Sequence, residues 1–365
     1  MKTNGNHVSN AVFMCGLRQY NSMETRCRES NMELLRIIAM LMITLHHFLI
    51  NKYRGGIVNG DEFLSGWQWA VMINGFVYIG VNVFVLISGH FGIKFKWKGV
   101  LNLFIICVFY MMLNLITQKY YGADYSYTEI LVKSLKAITR TTKWFIPCYL
   151  ALYFLSPFLN IAKDNMSKQQ YVYALLVLSA YCIWFGYIRQ CNVFNQTGYS
   201  VGQFIWLYFI GGYIRRFNRV NNICKYRIVC VCIWIVMSAL WGGATVVLYS
   251  GISLPLWHPI TYNNPFTLVG AVAFFCLFTT FHFKSRIVNY IARSVLAVYL
   301  FEAALPPLIN WIGEINATEG ILYFTLALAW TLVRFGVAVS VDQVRKLCMI
   351  PVDYIWNRTI GKYIQ

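Results

Sequence analysis

The chain has 365 residues, of which 58% are hydrophobic, 17% aromatic and 12% charged, with a net charge of +18 and a mean hydropathy of +0.54. A soluble domain carries about 25% charged residues, so this composition excludes one and points to an integral membrane protein with no room for a separate soluble domain. The positive charges fall between apolar runs, which argues against a nucleic-acid partner, and the eleven cysteines are scattered without a CxxC pair, which argues against a metal or a disulfide framework.

In chain order, residues 1–30 hold no sustained apolar run and read as a disordered cytoplasmic tail without a cleavable signal pattern. Ten apolar segments follow, at residues 34–50, 69–89, 100–117, 144–161, 171–187, 201–214, 228–250, 265–281, 288–311 and 321–340. The expected fold is therefore all-α, a polytopic bundle of about ten transmembrane helices over 31–345, with a cytoplasmic tail at 346–365. Lys and Arg number 21 on the side of the N-terminus and 8 on the other, which places both termini in the cytoplasm. The discordant stretch is 118–143, outside yet holding five of those eight; 128–142 is expected to lie on the outer surface as an amphipathic helix.

The first apolar segment, NMELLRIIAMLMITLHHFLI (31–50), carries Glu33, Arg36, His46 and His47. Ionisable groups in such a segment are costly and tend to be kept for a task. Arg36 and His47 are eleven residues apart, which returns a helix to within about 20° of the same face, roughly 16 Å further along the axis. Glu33 lies three residues before Arg36 on a neighbouring line, where it either meets the positive end of the helix dipole or pairs with Arg36. His46 points about 100° away from His47.

The spacing of that Arg and His, with an acid three positions before the Arg, resembles the opening helix of acyltransferase family 3, membrane proteins that O-acylate cell-surface sugars. FVLISGHFGI (84–93), WFIPCYLALYFLSPFLN (144–160), ARSVLAVYLFE (292–302) and VDQVRK (341–346) resemble later parts of the same family in the same order. The resemblance implies a cell-membrane O-acetyltransferase that uses acetyl-CoA as donor and a polysaccharide or lipid-linked sugar as acceptor, among membrane lipids. Within it, Arg36 binds the donor phosphates or orients His47, since a guanidinium suits phosphate oxygens. His47 takes the proton of the attacking hydroxyl, or carries the acyl group itself. Ser88 and the run Lys94, Lys96, Lys98 would meet the donor on the cytoplasmic side, although family members often carry arginines there and lysines are only point charges. Glu302, where the family often has a histidine, is a candidate to orient His47, with Arg334 its most obvious ion-pair partner.

Two further expectations come from the residues themselves. The uncharged loop 250–264 offers Trp257, His258 and Tyr262, either to a sugar ring or to an interfacial aromatic belt. Intramembrane Arg, His and Glu in broken helices also mark translocation routes, so a glycolipid transporter or flippase is the competing reading.

Overall fold

The computed structural model describes residues 29–54, 62–137, 144–191, 197–217, 223–301 and 306–358, with backbone alone at 306–309 and 351–358. The expected tail at 1–30 falls almost wholly outside these residues, and so does Glu302. Among the described residues all regular structure is helical. In order come α1 (Ser30–Leu49), α2 (Trp67–Val77), α3 (Gly80–Phe91), α4 (Trp97–Tyr120), α5 (Tyr127–Leu135), α6 (Phe145–Asn165) and α7 (Lys168–Ser179), which runs on as a π-helical segment, Ala180–Ile188. After these come α8 (Val201–Phe217), α9 (Ile223–Tyr249), α10 (Pro265–Thr279), α11 (Arg286–Ala292), α12 (Val295–Leu300), α13 (Pro306–Asn316) and α14 (Gly320–Arg358).

Seven helical segments among the described residues are long and apolar enough to cross a membrane, with α10 a shorter apolar helix beside them. The protein is thus an all-α, multi-pass membrane bundle. Its most enclosed segments are α1 and the collinear pair α2 and α3, whereas α4, α6, α7, α9 and α14 keep most of their surface outward. Ile116, Phe158, Leu176 and Ile228 on those outer helices are exposed, as expected where the surroundings are as apolar as the core.

Two expected segments are redrawn by the structure. The span at 288–311 is not one helix: it breaks after Ala292 and again after Leu300, and α13 begins at Pro306. Proline cannot continue a preceding helix, because its ring clashes and it has no N–H to donate. The last helix does not stop near 340 but continues through Arg358, its apolar span-like part reaching Ile350. Helix α5 covers the first part of the expected 128–142, of which residues 138–142 lie outside the described residues; Ser126 and Glu129 close a capping box at its start, and it packs on α4.

A helix in hydrocarbon must satisfy its own polar groups, since no water does so. Pro157 inside α6 deprives the Tyr153 carbonyl of its usual donor, and the Ser156 hydroxyl donates to that oxygen instead at 2.7 Å. At the close of α3, Gly92 takes a positive φ of 74° and its N–H returns to Ser88 O, a conformation glycine adopts at no steric cost. There the Ile93 N–H donates to Tyr208 Oη, Tyr208 Oη donates to Asn160 Oδ1, and Asn160 Nδ2 donates to Ile93 O, at 2.8, 2.6 and 2.8 Å. The ring of three bonds ties the turn after α3 to α6 and α8. At the far end of α1, Lys52 is fully buried and donates to the carbonyls of Asn316 and Thr318 at 2.5 and 2.9 Å, with its ammonium 4.7 Å from the Tyr323 ring centre.

Helices α3 and α8 cross closely, so that a Cβ on Gly89 would collide with the Tyr208 backbone and one on Gly211 with Leu86 O. Small residues allow such an approach between membrane helices. Gly89→Val should therefore destabilise the bundle by about 1–3 kcal/mol or more. Gly243→Val, where nothing lies within 4 Å of an added Cβ, should leave the thermal midpoint of the detergent-extracted protein near that of the parent.

Candidate active site

The two adjacent imidazoles of α1 have opposite surroundings. His46 is buried at 5% exposure; its Nδ1 donates to Asn74 Oδ1 at 2.8 Å, and Asn74 Nδ2 donates to Tyr53 Oη at 2.8 Å. The Tyr78 ring lies 5.0 Å away, so His46 is a pinned core residue. His47 instead lines a cavity of about 210 Å³. Met40, Ile43, Thr44 and Asn51 of α1 and its end share that lining, with Val298 and Tyr299 of α12, Ile312 of α13, and Trp330 and Arg334 of α14. Asn51 also caps the helix end, its Nδ2 donating to His47 O at 3.0 Å. The cavity follows α1 from Asn51 down to Met40, roughly 16 Å at 1.5 Å per residue.

Arg334 is the cation of this cavity. Its side chain is buried, Nη2 donates to Phe301 O at 2.7 Å, and the guanidinium sits 5.5 Å from the Trp330 ring centre. Phe301 follows the last turn of α12 with ψ at 88°, so its carbonyl turns away from the helix and is available to the arginine. Arg36 is not in the lining. It stands one turn, about 6 Å, below Met40, and its Nη1 is 3.3 Å from both carboxylate oxygens of Glu33. Both readings for Glu33 meet in the structure: it stands in the first turn of α1, at the positive end of the dipole, and pairs with Arg36.

Hydrogen bonds gather the ends of several helices around Arg36's end of α1. Arg215 Nη1, at the end of α8, lies 3.0 Å from Glu29 Oε1 and 3.2 Å from His90 Nε2 at the end of α3. Lys163 Nζ of α6 donates to Gly89 O at 3.1 Å, and Arg216 Nη1 donates to Lys163 O at 2.8 Å. The Ser285 N–H donates to Ser30 Oγ at 2.9 Å. Lys94 and Lys96 are exposed and Lys98 is half-buried. Their backbone is held in place, since Tyr153 Oη accepts from Lys96 N at 3.0 Å and donates to Lys96 O at 3.1 Å. Ser88 is buried, with its hydroxyl donating to Phe84 O of its own helix at 3.3 Å. This end is strongly basic, and it lies about 16 Å along α1 from His47.

A family model described as an acyltransferase domain matches residues 29–339. The chain belongs to acyltransferase family 3. No curated protein and no solved structure matches it. As a member of that family with several membrane-spanning helices, it is a multi-pass membrane acyltransferase.

The motifs that carry the family resemblance meet in pairs. FVLISGHFGI and the end of WFIPCYLALYFLSPFLN are joined by the ring of Ile93, Tyr208 and Asn160. ARSVLAVYLFE and VDQVRK are joined at Ser294, whose hydroxyl accepts from Gln343 Nε2 and from Lys346 Nζ, both at 2.8 Å. Beside them Asp342 is fully buried, 2.8 Å from Arg345 Nε and 2.9 Å from Lys346 Nζ. Sequence reasoning missed this carboxylate; the one signal for it is an acid followed by Arg and Lys three and four residues later on one helix face.

The loop expectation for Tyr262 is corrected. This residue is 3% exposed, stacked 4.8 Å from Tyr78, and its carbonyl accepts from Asn82 and Gln203. It is packed core, facing neither a sugar nor an interface. Trp257 packs on Phe266 and donates to Thr245 Oγ1 at 3.3 Å, while burial holds the His258 imidazole below the ordinary histidine range.

The surroundings of the two histidines make different demands. Asn74→Ala strips the buried His46 Nδ1 of its acceptor, and this should cost about 1–3 kcal/mol of stability. Unfolding of the purified variant by heat, followed by tryptophan fluorescence, measures that loss.

Proposed function

We propose that this acyltransferase moves an acetyl group from cytoplasmic acetyl-CoA to a hydroxyl of a cell-surface polysaccharide or a lipid-linked glycan in the cell membrane. The observation that carries the reading is the contrast along α1: His47 opens into a cavity, while Arg36's end of the same helix lies in a basic cluster. With that end in the cytoplasm, as the excess of Lys and Arg favours, the donor phosphates meet Lys94, Lys96 and Lys98. Arg36 is the cation of α1 nearest that surface, held by Glu33. Gly89 supports the lysine loop by permitting the close approach of α3 to α8, and Ser88 beside it is proposed to meet the donor with the lysines. The pantetheine arm then lies along α1 with its thioester near His47.

In the transfer step the acceptor oxygen attacks the thioester carbonyl carbon while His47 takes its proton. The C–S bond breaks, the ester stays on the sugar, and the proton passes from the imidazole to the departing thiolate to give CoA. Glu302 is proposed to orient the imidazole. Acylation of His47 itself followed by transfer gives the same net reaction.

One observation favours glycolipid transport instead: the broken stretch from α11 to α13 borders the cavity with its buried Arg334, and discontinuous helices line translocation sites. The two readings separate on the product. Ester content of surface glycans, measured by mass spectrometry, should fall to background in cells carrying His47→Ala and return with the parent protein; sugar flux with no acylation would support transport. His47→Ala should lower acetyl-CoA turnover by about 10²–10⁴-fold, whereas His46→Ala acts through folding. Replacing Lys94, Lys96 and Lys98 together by Gln should raise the KM for acetyl-CoA about tenfold or more, the equivalent of roughly 1.4 kcal/mol, with kcat nearly unchanged in steady-state assays.

A further inference from the structure

We infer that Arg334 is a catalytic residue, the cation that holds the negative charge formed on the thioester carbonyl oxygen when the acceptor attacks beside His47. The inference rests on the acyl-transfer reading and adds a residue to it. An oxyanion needs a donor within about 3 Å of the oxygen. Arg36 is engaged with Glu33 and is separated from His47 by roughly 16 Å of helix. Arg334 lines the same cavity as His47.

Three features suit it to the task. Its orientation is fixed before any substrate arrives, because Nη2 is bonded to Phe301 O and the guanidinium packs on Trp330, one turn earlier on α14. Preorganised donors of this kind need no rearrangement as charge develops, which is the source of their effect. Much of the surrounding wall is apolar, with Met40, Ile43, Val298 and Ile312, and Arg334 itself is buried, which limits how far water screens the attraction between guanidinium and oxyanion. Finally, a buried arginine in a membrane-spanning helix is costly to keep and tends to mark a functional position. The step balances: the carbonyl π electrons move onto oxygen as the C–O bond forms, and return to expel the thiolate as the C–S bond breaks. Arg334 stays protonated throughout.

The test uses acetyl-CoA as probe and follows release of the CoA thiol by inverted membrane vesicles containing the full-length protein and the cell's own glycans. Arg334→Gln should lower kcat by about 10²–10³-fold, as loss of one oxyanion donor does, with the KM for acetyl-CoA within about twofold. Arg334→Lys, which keeps the charge but loses the planar fork, should fall between the two. The double variant with His47→Ala should be no slower than the slower single variant, because groups that serve one step are not additive. Both Arg334 variants should extract as a monodisperse peak with a thermal midpoint near the parent's. The inference is overturned if Arg334→Gln keeps kcat within about threefold, if its loss lies wholly in KM, or if both variants lose the folded peak, which would make the residue structural. If His47→Ala turns over acetyl-CoA like the parent, it is the acyl-transfer reading that falls. Activity lost in His47→Ala but kept in Arg334→Gln removes only the role given to Arg334.

Discussion

Hydrocarbon offers no hydrogen bonds, and that single constraint shapes this bundle more than any individual contact. Each polar atom that leaves water must find a partner within the chain, so polar side chains fix where the helices sit. The ring of Ile93, Tyr208 and Asn160 shows the logic: a turn must end α3, its exposed N–H and C=O require partners, and side chains of α8 and α6 supply them. The same logic puts a serine hydroxyl where Pro157 removed a donor. Apolar packing gives these helices little reason to prefer one neighbour to another, because lipid tails are as apolar as leucine. Specific hydrogen bonds and the glycine crossing of α3 with α8 provide that preference.

Function follows from the same economy of polar groups. Within α1 one imidazole is anchored to Asn74 and the next faces a cavity, although only about 100° of helix rotation separates them. The first secures the helix against α2; the second is presented by the rigidity so obtained. The basic cluster and the cavity occupy different levels of the same helix. A substrate with an anionic head and a long arm matches that division better than a compact one.

Much of this was readable in the residues. Apolar runs of spanning length located most of the helices, and the Arg and His spacing picked out α1 and its stripe, because both rest on local periodicity. What periodicity could not supply is the partner across space. Residues 288–311 are apolar enough to pass for one span, but the helix ends at Leu300, where the turned-out Phe301 carbonyl accepts from Arg334, a contact 33 residues distant in the chain. Tyr262 sits in an uncharged stretch that reads as facing outward, yet Asn82 and Gln203 draw its carbonyl into the core. Arg334 reads from the sequence as a charge in an apolar helix, but its place in the wall of the cavity that His47 also lines depends on how α14 packs against α1.

The buried clasp of Lys52 on the carbonyls of Asn316 and Thr318 has a mechanical consequence. It staples the end of α1 to the turn between α13 and α14, and these elements form facing walls around His47 and Arg334. One corner of the chamber is thereby locked, since parting it would strip an ammonium of both acceptors. Further along, α14 is held again where Gln343 and Lys346 donate to Ser294 Oγ, so the wall it contributes is moored on both sides of the chamber.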